Sequence, residues 1–364
     1  MSDTRYMALA LSLGRRGLGN TWPNPAVGCV IVREGMIVGR GWTAPSGRPH
    51  AEPQALAQAG TAAKGATAYV TLEPCAHQGQ TPPCAQALID AGVARVVVAA
   101  GDSDARVAGR GIALLRAAGI DVETGVLEAE ARRDNIGFFN RIELGRPMVT
   151  LKLASSFDGR IATATGESQW ITQSPARRVV HAMRANHDAV MVGGGTVRAD
   201  DPSLSVREMG VRAQSARVVL SRHLDLPLNS KLAQTAREIP LILCHGADAP
   251  AALVDAWAGM GAVLLACRVA GGQIDLGDAL QQLGSHGLTR IFSEGGSGIA
   301  ASLLRADLVD DLVGFTAGVA LGAEGLAGIG PMGVTRLGAA PRFDLVRTHA
   351  VGPDVMHHWQ RIRD

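Results

Sequence analysis

The sequence has little excess of either charge. Its 364 residues carry a formal net charge of +2 at pH 7, and residues 1–145 and 146–364 each contribute one positive charge in excess. A basic face for nucleic acid or for an anionic membrane is therefore not expected. Lysine is also scarce, because only Lys64, Lys152 and Lys231 are present, so each of them is a candidate for a special role.

Long apolar runs are missing as well. The longest uncharged apolar run, near residues 312–323, is much shorter than the roughly 18 residues that a transmembrane helix requires. Residues 1–16 contain no basic segment ahead of an apolar one, which a secretory signal would show. We therefore expect a cytoplasmic protein.

Cysteine is too sparse for a disulfide framework. The five cysteines are odd in number and widely scattered in a chain too long to depend on disulfides. Cys29, Cys244 and Cys267 have no neighbouring ligand residues in the sequence, and we interpret them as small buried apolar side chains. Cys75 and Cys84 are different, because histidine and glutamate precede them in an ordered pattern.

The length predicts two domains, since a domain averages about 150 residues. Apolar residues make up 47% and charged residues 19%, as in a folded globular protein. Strand and helix patterns alternate through residues 1–145 and restart at Met148. We predict an α/β domain over residues 1–145, with parallel strands covered by helices on both faces, and a second α/β domain with its own core over residues 146–364.

The strongest chemical signal is His50 with Glu52, followed by Cys75 and, after eight residues, Cys84. Two thiolates and one imidazole give zinc three protein ligands, a number that leaves the fourth position open for catalysis. Glu52 would not bind metal but would move protons between water and a leaving amine. The H-x-E and P-C-x-n-C pattern is typical of zinc deaminases. The alternatives are two ordinary buried thiols or half of a structural zinc site.

Three segments of the first domain follow the pattern of a known family, namely Pro23–Gly28, His50–Glu52 and Glu73–Cys84. In these segments the domain resembles the deaminase half of the bifunctional riboflavin-biosynthesis deaminase-reductases. It implies a cytidine-deaminase-like three-layer fold that removes an amino group from a phosphoribosylated diaminopyrimidine, with Asn24 and His77 binding substrate. The sequence departs from the family pattern at Thr43, Gln80 and Asp104, where histidine, lysine and asparagine are usual.

The second domain carries signals for phosphate and cofactor binding. A strand runs into Gly193-Gly194-Gly195-Thr196, which we predict to be a glycine turn preceding any helix. Gly296, Gly298 and Ala301 satisfy G-x-G-x-x-A, yet the acidic residue expected about twenty positions later is missing. A strand ends instead at Ser221-Arg222, which suits a 2′-phosphate, so we predict NADPH rather than NADH. The alternative for Arg222 is a solvated loop arginine.

These segments resemble the reductase half of the same family, which has a dihydrofolate-reductase-like fold. The resemblance implies that substrate is bound by Ser168, Arg184, Leu204, Arg207 and Glu294. It implies that the cofactor is bound by Ala154, Trp170, Thr196, Asp200, Ser221 and the turn from Gly296 through Ser297 and Gly298 to Ser302. We add Lys152 as a substrate contact, because this rare lysine ends a strand beside the site.

The expected protein is a bifunctional enzyme of riboflavin biosynthesis. A zinc deaminase precedes an NADPH reductase that converts the ribosyl side chain to ribityl, and the resemblance implies a homodimer formed through the reductase domain. Two alternatives stay open, a nucleic-acid base deaminase and a nucleotide-sensing module with a structural zinc. The first would need a basic channel with stacking aromatics, and the second would not need Glu52.

Overall fold

The computed structural model describes residues 2–76, 82–105, 107–210 and 213–362. The chain divides into two compact units, one ending at Gly145 and the other beginning at Arg146. Within the described ranges, no helix has the length and apolar character needed to cross a membrane.

The first unit is built on a mixed sheet. Its helices are α1 (Asp3–Gly14), α2 (Ala51–Ala59), α3 (Cys84–Asp90), α4 (Arg110–Ala117), α5 (Glu128–Asp134) and α6 (Ile136–Leu144). Its strands are β1 (Gly28–Arg33), β2 (Met36–Trp42), β3 (Thr67–Leu72), β4 (Arg95–Ala100) and β5 (Asp121–Thr124). The described strands follow the order β2-β1-β3-β4-β5, in which β1 runs antiparallel to β2 and β3, while β3, β4 and β5 are parallel.

The strands β1, β3 and β4 form the centre of this core. The side chains of these three strands are buried along almost their whole length, because helices pack against them and cover them from solvent. Two details differ from the sequence prediction. The charged pattern of residues 128–144 predicts a single helix, but the structure breaks it at Asn135, whose side chain bonds to the backbone N–H and C=O of Ala26. The polar edge strand β5 was not predicted.

The second unit has its own, larger sheet. Its helices are α7 (Ser174–Ala185), α8 (Gly194–Asp200), α9 (Lys231–Gln234), α10 (Ala251–Gly259), α11 (Leu276–Ser285) and α12 (Ser297–Arg305). Its strands are β6 (Met148–Ser156), β7 (Arg160–Ala162), β8 (Ala189–Gly193), β9 (Ala216–Leu220), β10 (Leu241–Gly246), β11 (Val263–Cys267), β12 (Val269–Ala270), β13 (Gln273–Ile274), β14 (Arg290–Ser293), β15 (Asp311–Ala317), β16 (Leu326–Ala327), β17 (Phe343–Val351) and β18 (Asp354–Arg361).

The main sheet follows the order β11-β10-β9-β8-β14-β6-β15-β18-β17 in the described part of the chain. The strands from β11 to β15 are parallel, and β18 and β17 add an antiparallel edge. The carboxyl ends of the parallel strands therefore meet along one edge of the sheet. In folds of this kind that edge is where ligands bind.

The prediction of a glycine turn at residues 193–196 is wrong. The helix α8 begins at Gly194, directly after β8, and only Gly193 keeps an extended backbone as its N-terminal cap. Val197, on the first turn of α8, is buried in the core, which fixes the helical conformation of this segment. The strands β15, β17 and β18 were not predicted either. The side chains of β17 are mostly exposed and show no alternating pattern.

Candidate active sites

Three side chains with metal-binding atoms meet in the first unit. His50 precedes the first residue of α2, Cys75 follows β3, and Cys84 is the first residue of α3. Their ligand atoms all lie within 4.8 Å of one another. His50 Nδ1 is 3.3 Å from Cys84 Sγ and 3.8 Å from Cys75 Sγ. The fold thus assembles the ligand set that the sequence predicted from distant segments.

The chemistry of this donor set fits zinc. Two sulfur atoms and one imidazole nitrogen are ligands that zinc prefers, and three protein ligands leave one position free. Hydrogen bonds from Cys84 and from the His50 ring lower the pKa of the Cys75 thiol to about 4. The backbone N–H of Cys84 also donates to Cys75 Sγ at 3.3 Å. Cys75 therefore favours the thiolate form that binds metal.

Glu52 lies beside these ligands but is not part of the metal cluster. Its side chain is buried on the first turn of α2, and burial raises the pKa of its carboxyl group. It lines a cavity of about 160 Å³ together with His50, Cys75 and Asn24. A carboxyl group at this place can exchange protons with a bound substrate.

Glu73 holds the loop that carries Cys75. Its carboxylate accepts hydrogen bonds from the backbone N–H groups of Gly109 at 2.9 Å, Gly111 at 2.9 Å and Ile112 at 3.2 Å. A Cβ atom at Gly111 would lie only 1.9 Å from the carbonyl oxygen of Pro74. The start of α4 and the ligand loop are therefore packed directly against each other.

Other residues of this cavity were not all singled out from the sequence. Thr43 is buried, and its hydroxyl accepts a hydrogen bond from the N–H of Val27 at 2.9 Å. Thr43 and Asp104 line the cavity, as do Arg48 and Phe138, which had no sequence signal. A single arginine or phenylalanine outside a motif gives none. His77 and Gln80 lie outside the described residues.

In the second unit, Lys152, Arg184 and Glu294 form a buried charged cluster. Arg184 donates from Nε to Glu294 Oε1 at 2.5 Å and from Nη2 to Oε2 at 3.1 Å, and Lys152 Nζ lies 4.0 Å from Oε2. Burial opposes the ionisation of Glu294, but the charges of Arg184 and Lys152 prevail, so the pKa of Glu294 is lowered. Burial also lowers the pKa of Lys152.

This cluster lines a cavity of about 300 Å³, here called the Glu294 cavity. The structure brings most of the predicted site residues of the second unit to it, namely Lys152, Ala154, Ser168, Trp170, Arg184, Thr196, Asp200, Leu204, Arg207 and Glu294. The Trp170 side chain is 62% exposed, and the guanidinium of Arg177 lies 4.5 Å from its ring centroid. Arg177, which also lines the cavity, was not predicted.

A larger cavity of about 580 Å³ lies at the ends of β8 and β9 and is here called the glycine-lined cavity. The predicted residues Ser221, Arg222, Gly298 and Ser302 line it, together with Gly193, Gly194 and Gly195. Gly296 and Ser297 begin α12 immediately before Gly298. Arg222 is held by Asp248, with Nη2–Oδ2 at 2.5 Å, and by the carbonyl oxygen of Gly272.

The two units match different families of known proteins. Residues 147–357 match the RibD C-terminal domain, and residues 1–100 match the cytidine and deoxycytidylate deaminase zinc-binding region. Over 364 residues the chain is 43% identical to the riboflavin biosynthesis protein RibD of Escherichia coli K12, covering 98% of this chain and 99% of that protein. It is 41% identical over 359 residues to RibD of Aquifex aeolicus, covering 99% and 98%.

Solved structures agree. The chain is similar to Acinetobacter baumannii RibD with a TM-score of 0.88, 38% identity and 99% of each chain covered. A diaminohydroxyphosphoribosylaminopyrimidine deaminase/5-amino-6-(5-phosphoribosylamino)uracil reductase from Thermotoga maritima gives a TM-score of 0.86, 30% identity and the same coverage. These matches confirm the predicted fold class and the predicted pair of activities. The chain belongs to the RibD family of bifunctional deaminase-reductases of riboflavin biosynthesis.

Proposed function

We propose that the first unit hydrolytically deaminates 2,5-diamino-6-(5-phosphoribosylamino)pyrimidin-4-one and that the second reduces the ribosyl side chain of the product to ribityl with NADPH. The observation that carries this proposal is the buried carboxyl group of Glu52 in one cavity with His50 and Cys75, at a three-ligand metal cluster completed by Cys84. The name of the Thermotoga maritima relative, which describes these two reactions, supports the choice of substrates.

In the deamination, His50, Cys75 and Cys84 would hold one zinc ion per chain. When bound, zinc supplies Lewis-acid activation of water. Glu52 takes a proton from the attacking water and delivers it to the departing amino group, so that ammonia leaves and a ring carbonyl is formed. Asn24 and His77 would orient the pyrimidine. The backbone of Gly47 lies close to the side chain of Asn24, since a Cβ atom on Gly47 would lie only 2.0 Å from the side-chain nitrogen of Asn24.

In the reduction, the Glu294 cavity would hold the substrate. Arg184 and Arg207 suit its phosphate as bidentate donors. Glu294 keeps Arg184 and Lys152 at fixed positions, and Lys152, Ser168 and Leu204 complete the substrate contacts. The ribosylamine opens to an imine, and C1′ receives a hydride while the nitrogen takes a proton.

The cofactor would extend from the Glu294 cavity into the glycine-lined cavity. Ala154, Trp170, Thr196 and Asp200 would contact its nicotinamide half, and Ser221, Arg222, Gly296, Ser297 and Gly298 its adenosine half. When bound, the cofactor supplies the hydride. The hydroxyl of Ser221 and the guanidinium of Arg222 at the end of β9 support a preference for NADPH over NADH.

We further propose a homodimer formed through the second unit and a cytoplasmic location. The edge strand β17 supports the dimer, because it has a partner only on the β18 side among the described residues and most of its side chains are exposed.

The test is incubation of the purified protein with the diaminopyrimidine, with and without NADPH, followed by mass spectrometry. Without NADPH we expect the exchange of one amino group for an oxo group, together with release of ammonia. With NADPH we expect two further hydrogen atoms in the product. A product that keeps both amino groups would contradict the proposed deamination.

A further inference from the structure

Two donor groups in the glycine-lined cavity converge on one carboxylate. The hydroxyl of Ser221 donates to Asp225 Oδ1 at 3.1 Å, and the guanidinium of Arg198 lies 3.0 Å from Asp225 Oδ2. All three residues line the cavity. The two oxygens of one anion are thus bound by two donors from different elements, one after β9 and the other on α8.

This pair of donors is suited to a phosphate group. A hydroxyl and a guanidinium that bind separate oxygens of one anion can bind two oxygens of a phosphate in the same way. The donors are also close to the backbone that would flank a cofactor. A Cβ atom at Gly194 would lie 3.2 Å from Arg198 Nη1 and 3.2 Å from Ser221 Oγ. Gly194 therefore allows both groups to approach the end of β8.

We infer that Arg198 and Ser221 bind the 2′-phosphate of the cofactor and that Asp225 competes for the same two donors. This inference rests on the proposed NADPH dependence and adds two residues, Arg198 and Asp225, that determine cofactor specificity. A 2′-phosphate replaces the carboxylate of Asp225 between the donors. NADH has only a hydroxyl at that position and gains much less from displacing Asp225.

The exposure of the pair permits this exchange. The side chains of Arg198 and Asp225 are 46% and 60% exposed, and ion pairs in such positions contribute little to stability. Arg222 is held more firmly, because it bonds to Asp248 through two nitrogens and also to the carbonyl oxygen of Gly272. Arg198 is therefore the cation that can turn to a phosphate at the lower cost.

The experiment measures the binding of NADPH, NADH and adenosine 2′,5′-bisphosphate to the full chain by titration calorimetry. The bisphosphate carries the 2′-phosphate without the nicotinamide, so its binding is independent of the reduction. Arg198→Gln is expected to weaken NADPH and the bisphosphate about tenfold, as for the loss of one charge-assisted contact, with NADH changed less than about twofold. Asp225→Asn is expected to strengthen both 2′-phosphate ligands about threefold, because the competing charge is gone.

The matched control is Arg361→Gln. Arg361 also pairs with an exposed aspartate, Asp307, but it lies on β18 and does not line the cavity. This variant should bind all three ligands like the unmodified protein, and the melting temperature of each variant shows whether it is folded.

If the unmodified protein prefers NADPH and Arg198→Gln keeps the full preference, the inference is overturned while the proposed function stands. Weaker binding of the bisphosphate by Asp225→Asn would likewise overturn the competition by Asp225. If the unmodified protein shows no preference for NADPH, the proposed cofactor fails and the inference fails with it.

Discussion

Glu294 and Arg184 form a two-point ion pair inside the second unit, with Nε–Oε1 at 2.5 Å and Nη2–Oε2 at 3.1 Å. Both side chains are 12% exposed. Lys152 reaches the same carboxylate at 4.0 Å, so one negative charge serves two cations. Removing that charge would leave both cations uncompensated in a poorly solvated place.

Glu294→Gln is therefore expected to destabilise the second unit by about 3 to 5 kcal/mol, the range for breaking a buried ion pair by removing one partner. The effect should depend on pH. Because the folded-state pKa of Glu294 is lowered, its stabilisation is present above the ordinary glutamate pKa and is lost as the pH falls through the folded value. Thermal melts of the unmodified protein and of Glu294→Gln between pH 7 and pH 3 test this pH dependence. If the difference in melting temperature between the two proteins grew towards low pH, ionised Glu294 would not be the stabilising form.

Glu52→Gln is expected to retain zinc and to abolish ammonia release, because in the proposed mechanism Glu52 moves protons and does not bind metal. Atomic emission measures the zinc content of the variant, and a coupled assay measures its release of ammonia. Reduction should continue when the deaminated intermediate is supplied, because the Glu294 cavity belongs to the other unit. Retained zinc serves as the control for folding of the first unit. Loss of zinc in this variant, or unchanged deamination, would show that Glu52 has a different role.

Removal of zinc with a chelator is expected to stop deamination and to leave reduction unchanged. The ligands His50, Cys75 and Cys84 all belong to the first unit, while the Glu294 cavity belongs to the second. Cys84→Ser should reduce the zinc content in the same way. Far-ultraviolet circular dichroism distinguishes the alternative of a structural zinc, because the first unit would then unfold on chelation.

In the proposed binding mode, Arg222→Ala removes a guanidinium contact to the 2′-phosphate. The variant is therefore expected to narrow the preference for NADPH over NADH about threefold to tenfold. The KM values of the two cofactors provide the measurement. Asp248→Asn is a useful companion variant, because it removes a carboxylate that holds Arg222 but leaves the guanidinium in place. Equal loss of both cofactors in Arg222→Ala would mean that Arg222 only shapes the cavity.

The sequence was most informative where function depends on short motifs. The metal cluster could be predicted residue by residue, because short sequence motifs mark its three members, His50, Cys75 and Cys84. Each of these motifs lies at the end of a helix or strand. The contact of Asp225 with Arg198 could not, because it joins α8 to the loop after β9 and neither residue belongs to a motif. The break at Asn135 also escaped prediction, since its cause is a hydrogen bond to the distant Ala26. Long-range pairing of this kind leaves no periodic signal.

The packing of α4 against the ligand loop offers a way to separate the two reactions genetically. The start of α4 supplies donors to Glu73, and Gly111 touches the backbone of Pro74, the residue before Cys75. A methyl group at position 111 has no room there, so Gly111→Ala must displace either the helix or the loop. We expect the Gly111→Ala protein to lose deamination and to keep reduction. Every metal ligand, Glu52 and the whole second unit would still have their native side chains.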